Sequence, residues 1–364
     1  MTTYRAAAMV APHEPLKIRE LPEPHLDEGA AILHTSYSEV CGTDVHLWHG
    51  RLAGVPYPII PGHVAVGTLS KIRGTIRDID GEAFKEGDVV TYLDVHETCN
   101  HCYQCLVAKQ PTRCPSRKVY GITYSLNDGL LGGWSEAVWL QKGLKLVRIP
   151  VGLSPETFIG GGCGLVTALH AIDRGEIRLG NSVAVLGVGP VGQSATALAR
   201  LSGAAEVIAV GAPDERLDFA TRMGASHTVS LELVSKDRAA RVREITGGRG
   251  ADIVIEAAGA ADAVTDALDM VRDGGRVVVC GQYTDSGDVP INPHRQINRK
   301  HVELRGCWGS DFSHFYRAVD IAAQFGGAIP WSEMVGRRYR LDETESALNA
   351  VADRSLIKAI VTPN

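Results

Sequence analysis

Two groups of residues in this chain have the type and spacing to hold metal ions. The first is Cys99-x2-Cys102-x2-Cys105-x8-Cys114, which gathers half of the eight cysteines into sixteen residues. Zinc takes four soft donors in a tetrahedron, and such short gaps let one small lobe supply four thiolates. A site closed by four thiolates leaves no position for a substrate, so its work is to fold the lobe, about residues 95–118. His101 stands inside the run, but four cysteines suffice and it reads as exposed. The second group is dispersed. Cys41 opens Cys-Gly-Thr-Asp-Val-His, His63 follows Pro61-Gly62, and Cys163 lies in Gly161-Gly162-Cys163-Gly164. Taken singly, each is more simply a core residue. Together they offer the Cys/His/Cys triplet of a zinc site whose fourth position admits water or a substrate oxygen. Cys280 and Cys307 fall in apolar runs and read as small core hydrophobes.

A third motif addresses phosphates. Val183-Ala184-Val185-Leu186 runs into Gly187-Val188-Gly189-Pro190-Val191-Gly192, and a helical pattern follows. G-x-G-x-x-G is weak evidence alone, but between a strand and a helix it marks a dinucleotide site. The first glycine permits the tight turn and the second lets backbone approach a pyrophosphate. The third lets helix and strand pack closely, with the phosphates at the helix N-terminus. An acid holding the ribose hydroxyls is expected about 20 residues on. Instead Val207-Ile208-Ala209-Val210 ends in Gly211-Ala212-Pro213, the first acid is Asp214, and Arg216 is the nearest cation. No Arg, Lys, Ser or Thr at 211–213 favours a 2′-phosphate, so the reading prefers NAD, with NADP as the alternative.

These motifs need a scaffold. The first 160 residues carry short β-like runs, such as Ala31–Thr35, Asp88–Tyr92 and Ala137–Leu140, broken by turns such as Asn127-Asp128-Gly129. That pattern predicts an all-β, barrel-like unit. From about 165, helical periodicity at Leu165–Arg174, Val191–Ser202 and Glu215–Met223 alternates with strands at Ser182–Leu186, Val207–Val210, Asp252–Glu256 and Arg276–Cys280. Such alternation predicts a doubly wound parallel sheet. A helical segment near Phe315–Phe325 and β-like pieces near Arg337–Arg340 and Ala359–Thr362 close the chain. At 364 residues two domains are expected.

Composition excludes several partners. A net charge of −5 gives nucleic acid no footing, and no apolar run reaches 18 residues, so no membrane span is expected. The N-terminus lacks a signal peptide's apolar segment. Without one, the cysteine cluster reads as metal binding in a reducing compartment, and the expected location is the cytoplasm.

The combination of Cys41-Gly-Thr-Asp-x-His46, Gly62-His63, the four-cysteine lobe, Cys163 and Gly187–Gly192 resembles the zinc-containing medium-chain alcohol dehydrogenase family, over essentially the whole chain. The resemblance implies a GroES-like β-barrel catalytic domain (1–164 and 308–364), a Rossmann domain (165–307) and an active site in the cleft between them. It implies that Cys41, His63 and Cys163 hold a catalytic zinc, beside the structural zinc. Thr43 would take the alcohol proton and His46 relay it, while Asp44 orients the histidine ligand. Lys358 matches, more loosely, a basic residue near the cofactor phosphates. A homodimer or homotetramer is expected. Two departures stand out. The family reads Gly-His-Glu, and Val64 replaces that glutamate, which weakens the expectation of metal affinity. The last cysteine gap is also one residue longer than in many members, which a surface lobe tolerates.

The reaction so implied is hydride transfer between an alcohol and NAD(P), giving an aldehyde or ketone. Trp48, Tyr57, Val95 and Trp134 lie near the motifs and wall a pocket or fill the core. A valine at 95, where relatives carry a larger side chain, suggests room for a secondary, cyclic or polyol alcohol. The alternatives are a zinc-free enoyl or quinone reductase, against which the three metal-site residues count, and a non-enzymatic zinc- and nucleotide-binding protein. Thr43 and His46 count against the second.

Overall fold

In the computed structural model, which describes residues 2–363, the chain changes texture at about residue 163. One compact unit comprises Met1–Gly162, Asp311–Gly326 and Trp331–Asn364; the other comprises Cys163–Ser310 and Gly327–Pro330. The boundaries expected from sequence were 164/165 and 307/308, and Gly327–Pro330 was assigned to the first unit.

The first unit is built on a seven-stranded sheet ordered Val335–Arg340, Lys358–Thr362, Ala30–Val40, Ala65–Arg73, Val89–Tyr92, Leu146–Arg148, with Ala137–Leu140 also paired to Ala30–Val40. The 11-residue strand Ala30–Val40 is the pivot. One edge pairs with Ala65–Arg73; the other is shared, residues 31–34 meeting Ala137–Leu140 and residues 38–40 meeting the C-terminal strand. That sharing brings the end of the chain against the segment leading into Cys41. Two apolar clusters flank the strand. Leu33, Leu69, Val90, Tyr92 and Tyr120 are buried in one, and Val40, Leu47, Ile59, Trp134 and Val361 in the other. Each such aliphatic side chain removed from water contributes roughly 1.5–3 kcal/mol.

The second unit is a six-stranded parallel sheet in the order His227–Ser230, Glu206–Gly211, Ser182–Leu186, Ala251–Glu256, Val271–Val279, Glu303–Gly306. Its central strands carry near-continuous apolar runs, such as Val183–Leu186, Val207–Val210, Ile253–Ile255 and Val277–Val279, as strands buried on both faces do. Strand order reverses at Ser182–Leu186, the strand that feeds the glycine-rich turn, and such a switch point opens a crevice for ligands. The four strands read from sequence form the centre, while the edge strands His227–Ser230 and Glu303–Gly306 carry too few apolar residues to announce themselves. Among the described residues, no helix is long and apolar enough to cross a membrane.

Candidate metal and cofactor sites

Cys41 follows the last residue of strand Ala30–Val40, His63 precedes strand Ala65–Arg73, and Cys163 sits in the helical segment Pro155–Gly175. One donor atom from each, together with a carboxylate oxygen of Glu39, forms a group in which every atom lies within 4.8 Å of the others. His63 presents Nε2 to Cys41 Sγ at 3.8 Å and to Glu39 Oε1 at 3.8 Å. Tetrahedral zinc with ordinary bond lengths separates such donor pairs by about 3.4–3.6 Å, so the spacing fits a small ion. Cys41, His63 and Glu39 are buried and Cys163 is half-buried. His63 Nδ1, also buried, has no hydrogen-bond partner among the described residues.

The helix Gly42–Trp48 begins immediately after Cys41, whose thiol accepts from Thr43 N at 3.3 Å. Asp44 is fully buried, and its carboxylate accepts from Cys41 N at 2.9 Å and Gly62 N at 3.4 Å. The resemblance had Asp44 orienting the histidine ring. Here it instead ties together the two backbone segments that carry Cys41 and His63, because its short side chain is used as the helix cap. Thr43 and His46 are three residues apart on this helix, so they share a face. His46 is half-buried, and burial first, then the nearby Arg51, lowers its pKa below the ordinary histidine value. A neutral imidazole there is ready to accept a proton.

Glu39 is a site residue that sequence reasoning missed, and its partner is Lys358. Both are fully buried, with Lys358 Nζ donating to Glu39 Oε2 at 2.7 Å and to the carbonyls of Ile159 and Gly161 at 3.1 and 3.2 Å. The expectation that Lys358 faces cofactor phosphates is therefore corrected: its ammonium is enclosed by these oxygens. Strand register explains why. Val40 pairs with Ala359 and Glu39 with Ile360, so Glu39 and Lys358 are diagonal neighbours within reach of long side chains. Trp134, a candidate pocket wall, is fully buried and its indole N–H donates to Glu39 O at 3.0 Å, which makes it core. Tyr57 donates to Leu47 O at 2.5 Å and, with Trp48 and Val95, packs partly buried against the same core.

The lobe Cys99–Cys114 folds on itself. The short pair Val95–Glu97 and Lys118–Val119 closes its base, and all four thiols fall within 4.8 Å of one another. Crowded thiols share protons unevenly. The N–H of His101 helps lower Cys99 to about 6, while desolvation and the Cys102 thiol push Cys105 up to about 11. A cation binding here would displace the remaining protons. Cys280 and Cys307 are buried and belong to neither donor group, and burial raises both thiols.

In the second unit, the three glycines of the turn have different backbone surroundings. Gly187 has φ of +117°, and a Cβ there would come within 2.7 Å of Ala257 backbone. At Gly192 a Cβ would lie 1.8 Å from Gly187 O, so the helix packs directly on the turn. A Cβ built on Gly189 would meet nothing within 4 Å, so that side of the residue is open. Helix Pro190–Leu201 starts with no side-chain cap, so its first amides point at whatever fills that space. Val188 is buried, and Pro190 and Val191 half-buried. Gly211 ends its strand, but a Cβ there would meet Val188 Cγ2 at 2.4 Å. Arg216 is half-buried in helix Asp214–Arg222, and its carbonyl accepts from Gln193 Nε2 at 2.8 Å.

Comparison with known proteins agrees with both units. Residues 27–151 match the alcohol dehydrogenase GroES-like domain and residues 190–324 the zinc-binding dehydrogenase family. A 5-exo-hydroxycamphor dehydrogenase of Pseudomonas putida is 32% identical over 98% of each chain. An alcohol dehydrogenase from Thermotoga maritima superposes with a TM-score of 0.95 at 31% identity, covering all of both chains. A zinc-binding dehydrogenase from Sinorhizobium meliloti, solved with NADP bound, superposes with a TM-score of 0.86 at 27% identity, again over both whole chains. With a GroES-like unit, a Rossmann sheet and relatives matched end to end, this chain belongs to the zinc-containing medium-chain family of NAD(P)-dependent alcohol dehydrogenases.

Proposed function

We propose that the protein oxidises a secondary alcohol, cyclic or polyol, to its ketone, with Cys41, His63 and Cys163 holding a catalytic zinc. The observation that carries this is the convergence of those three donors from separate elements into one buried group. When bound, the metal supplies Lewis acidity toward an alcohol oxygen, and the nicotinamide accepts the hydride. The protein's own residues do the rest. Thr43 takes the alcohol proton and His46, neutral because it is half-buried, passes it towards solvent. Asp44 holds the backbones of Cys41 and His63 in register. Cys99, Cys102, Cys105 and Cys114 hold a second, structural zinc.

The Gly187–Gly192 turn, with Arg216 nearby, would hold the dinucleotide, NAD preferred. NADP is admitted because no carboxylate stands at Gly211 to repel a 2′-phosphate. The substrate class is supported by the relative that acts on 5-exo-hydroxycamphor and by others named for sorbitol, D-arabinitol and L-threonine, whose oxidised carbons include secondary alcohols. Eight free cysteines suit a reducing cytoplasm, and a homodimer or homotetramer is expected from the family. The test is an activity screen of secondary, cyclic and polyol alcohols with NAD and NADP, following reduced cofactor and identifying the ketone. Turnover of primary alcohols alone would overturn the substrate class.

A further inference from the structure

The family glutamate that follows the histidine is missing, yet a carboxylate is present at this site. Ser38 pairs with Ala65, and one step further along the same antiparallel register Glu39 faces Val64, with Glu39 N donating to Val64 O at 3.1 Å. Residues directly opposite in an antiparallel pair project from the same face. A carboxylate lost from position 64 and carried at position 39 therefore stays on one side of the sheet, reached from the neighbouring strand. Its two oxygens have different surroundings. Oε2 receives the Lys358 ammonium at 2.7 Å, while Oε1 lies 3.8 Å from His63 Nε2 and belongs to the donor group of Cys41, His63 and Cys163.

Gly162 makes room for this arrangement. It has φ of +48° within the segment leading to Cys163, and a Cβ there would lie 2.0 Å from Glu39 Oε2 and 2.6 Å from Lys358 Nζ. Lys358 also donates to the carbonyls of Ile159 and Gly161, just before Cys163. The pair thus links the strand carrying Glu39 to the segment carrying Cys163. A carboxylate whose only role was to neutralise a buried lysine would not need its second oxygen among three zinc-type donors.

We propose that Glu39 is the fourth protein ligand of the metal at the Cys41–His63–Cys163 site, bound through Oε1, with Lys358 holding Oε2. The proposal rests on the reading of that triplet as a zinc site. With that ligand the resting site would be closed, and Glu39 would have to withdraw for a substrate oxygen to enter. Lys358 then serves as the resting place for the withdrawn carboxylate.

The experiment measures zinc content by elemental analysis, zinc release to a chromogenic chelator, and the visible spectrum of the cobalt-loaded full chain. The variants are K358M and the double variant E39Q/K358M, in which no buried charge is left unpaired; circular dichroism checks each fold. Glu39 as a ligand predicts that K358M keeps the metal as firmly as the parent or more so, because its carboxylate is then balanced by the cation alone. The double variant should weaken binding at this site by at least about ten-fold and shift the cobalt bands. Equal release from parent and double variant, with unchanged cobalt bands, overturns the ligand assignment. Equal loss in K358M and the double variant also overturns it, leaving the pair a purely structural tie. A parent chain that binds one zinc, lost in Cys102→Ala, would instead overturn the catalytic-zinc reading itself.

Discussion

The two cysteine clusters reach similar donor geometry by opposite routes. The lobe draws four thiols from sixteen contiguous residues, and its base is a two-stranded pair of local strands. The other group spans residues 39 to 163 and is assembled by a sheet whose C-terminal strand returns to the segment leading into Cys41. The lobe is its own scaffold, so a metal there and the local fold stand or fall together. The dispersed group is positioned by cores on both sides of strand Ala30–Val40, so the fold is expected to outlive the loss of one donor. A cluster held in place by the surrounding cores would leave its metal free for chemistry.

The sharpest break of this comparison is a pair of deletions. Cys41→Ala is expected to abolish alcohol oxidation while leaving a folded protein with about one zinc. Cys102→Ala is expected to lower the melting temperature strongly or cause aggregation. Elemental analysis and a thermal melt on both variants decide the matter; two zinc ions retained in the Cys41 variant would remove Cys41 from the catalytic site.

A second difference concerns protons. The lobe has no relay, whereas helix Gly42–Trp48 places Thr43 and His46 on one face beside Cys41. His46→Gln should reduce oxidation turnover by about 10²-fold at neutral pH, in the range of a lost general base. The sign follows from burial. Because His46 titrates below the usual histidine range, the parent should hold its rate at neutral pH and lose it only on the acid side, where the imidazole is protonated. The variant should be slow at neutral pH and recover towards alkaline pH, where hydroxide takes the proton. Superimposable pH–rate profiles for parent and variant would show that protons leave elsewhere.

How much of this was readable in the sequence follows the same division. Contiguous patterns were plain: the four-cysteine run, the glycine-rich turn between strand Ser182–Leu186 and helix Pro190–Leu201, and the central parallel strands. Glu39 was not, because a glutamate inside a β run looks like a surface residue until register places it opposite Val64. Lys358 misled for the same reason, since nothing local shows that its ammonium is enclosed by carbonyls 197 and 199 residues away. Asp44 was read as acting on a histidine ring, whereas its reach is set by the helix it caps. Register across strands, which is invisible along the chain, decided the first two cases, and a helix cap the third.

If face rather than sequence position is what matters, the carboxylate should be movable. Glu39→Val combined with Val64→Glu returns it to the strand it has left in this chain, on the same side of the sheet. Chelator-driven zinc release should be about 10–100-fold faster in Glu39→Val/Lys358→Met than in the parent. The exchange variant, with Lys358 retained, should recover most of that difference. Release as fast in the exchange variant as in the carboxylate-free one would mean that the Glu39 backbone position, and not the face it occupies, governs retention.

The smallest expected effect lies in the second unit, where the contiguous glycine-rich turn again contrasts with a remote partner at Gly211. A carboxylate at that strand end would accept from the ribose hydroxyls and repel a 2′-phosphate. Gly211→Asp alone is a poor test, because its Cβ would press on Val188 Cγ2 at 2.4 Å. Overpacking of that kind costs about 1–3 kcal/mol. Pairing it with Val188→Ala removes both offending methyl groups and leaves room for the aspartate. A charge-assisted hydrogen bond contributes about 1.5–3 kcal/mol, or about ten- to a hundred-fold in relative specificity. The gain should fall near the lower figure, since Val188 belongs to the turn proposed to hold the phosphates and its truncation would loosen that turn for both cofactors alike. The measured quantity is the ratio of kcat/KM for NAD and NADP in the parent, Val188→Ala and the double variant. The ratio should rise only when aspartate is added; a ratio that stays level, or moves towards NADP, would mean that the end of strand Glu206–Gly211 does not face the ribose.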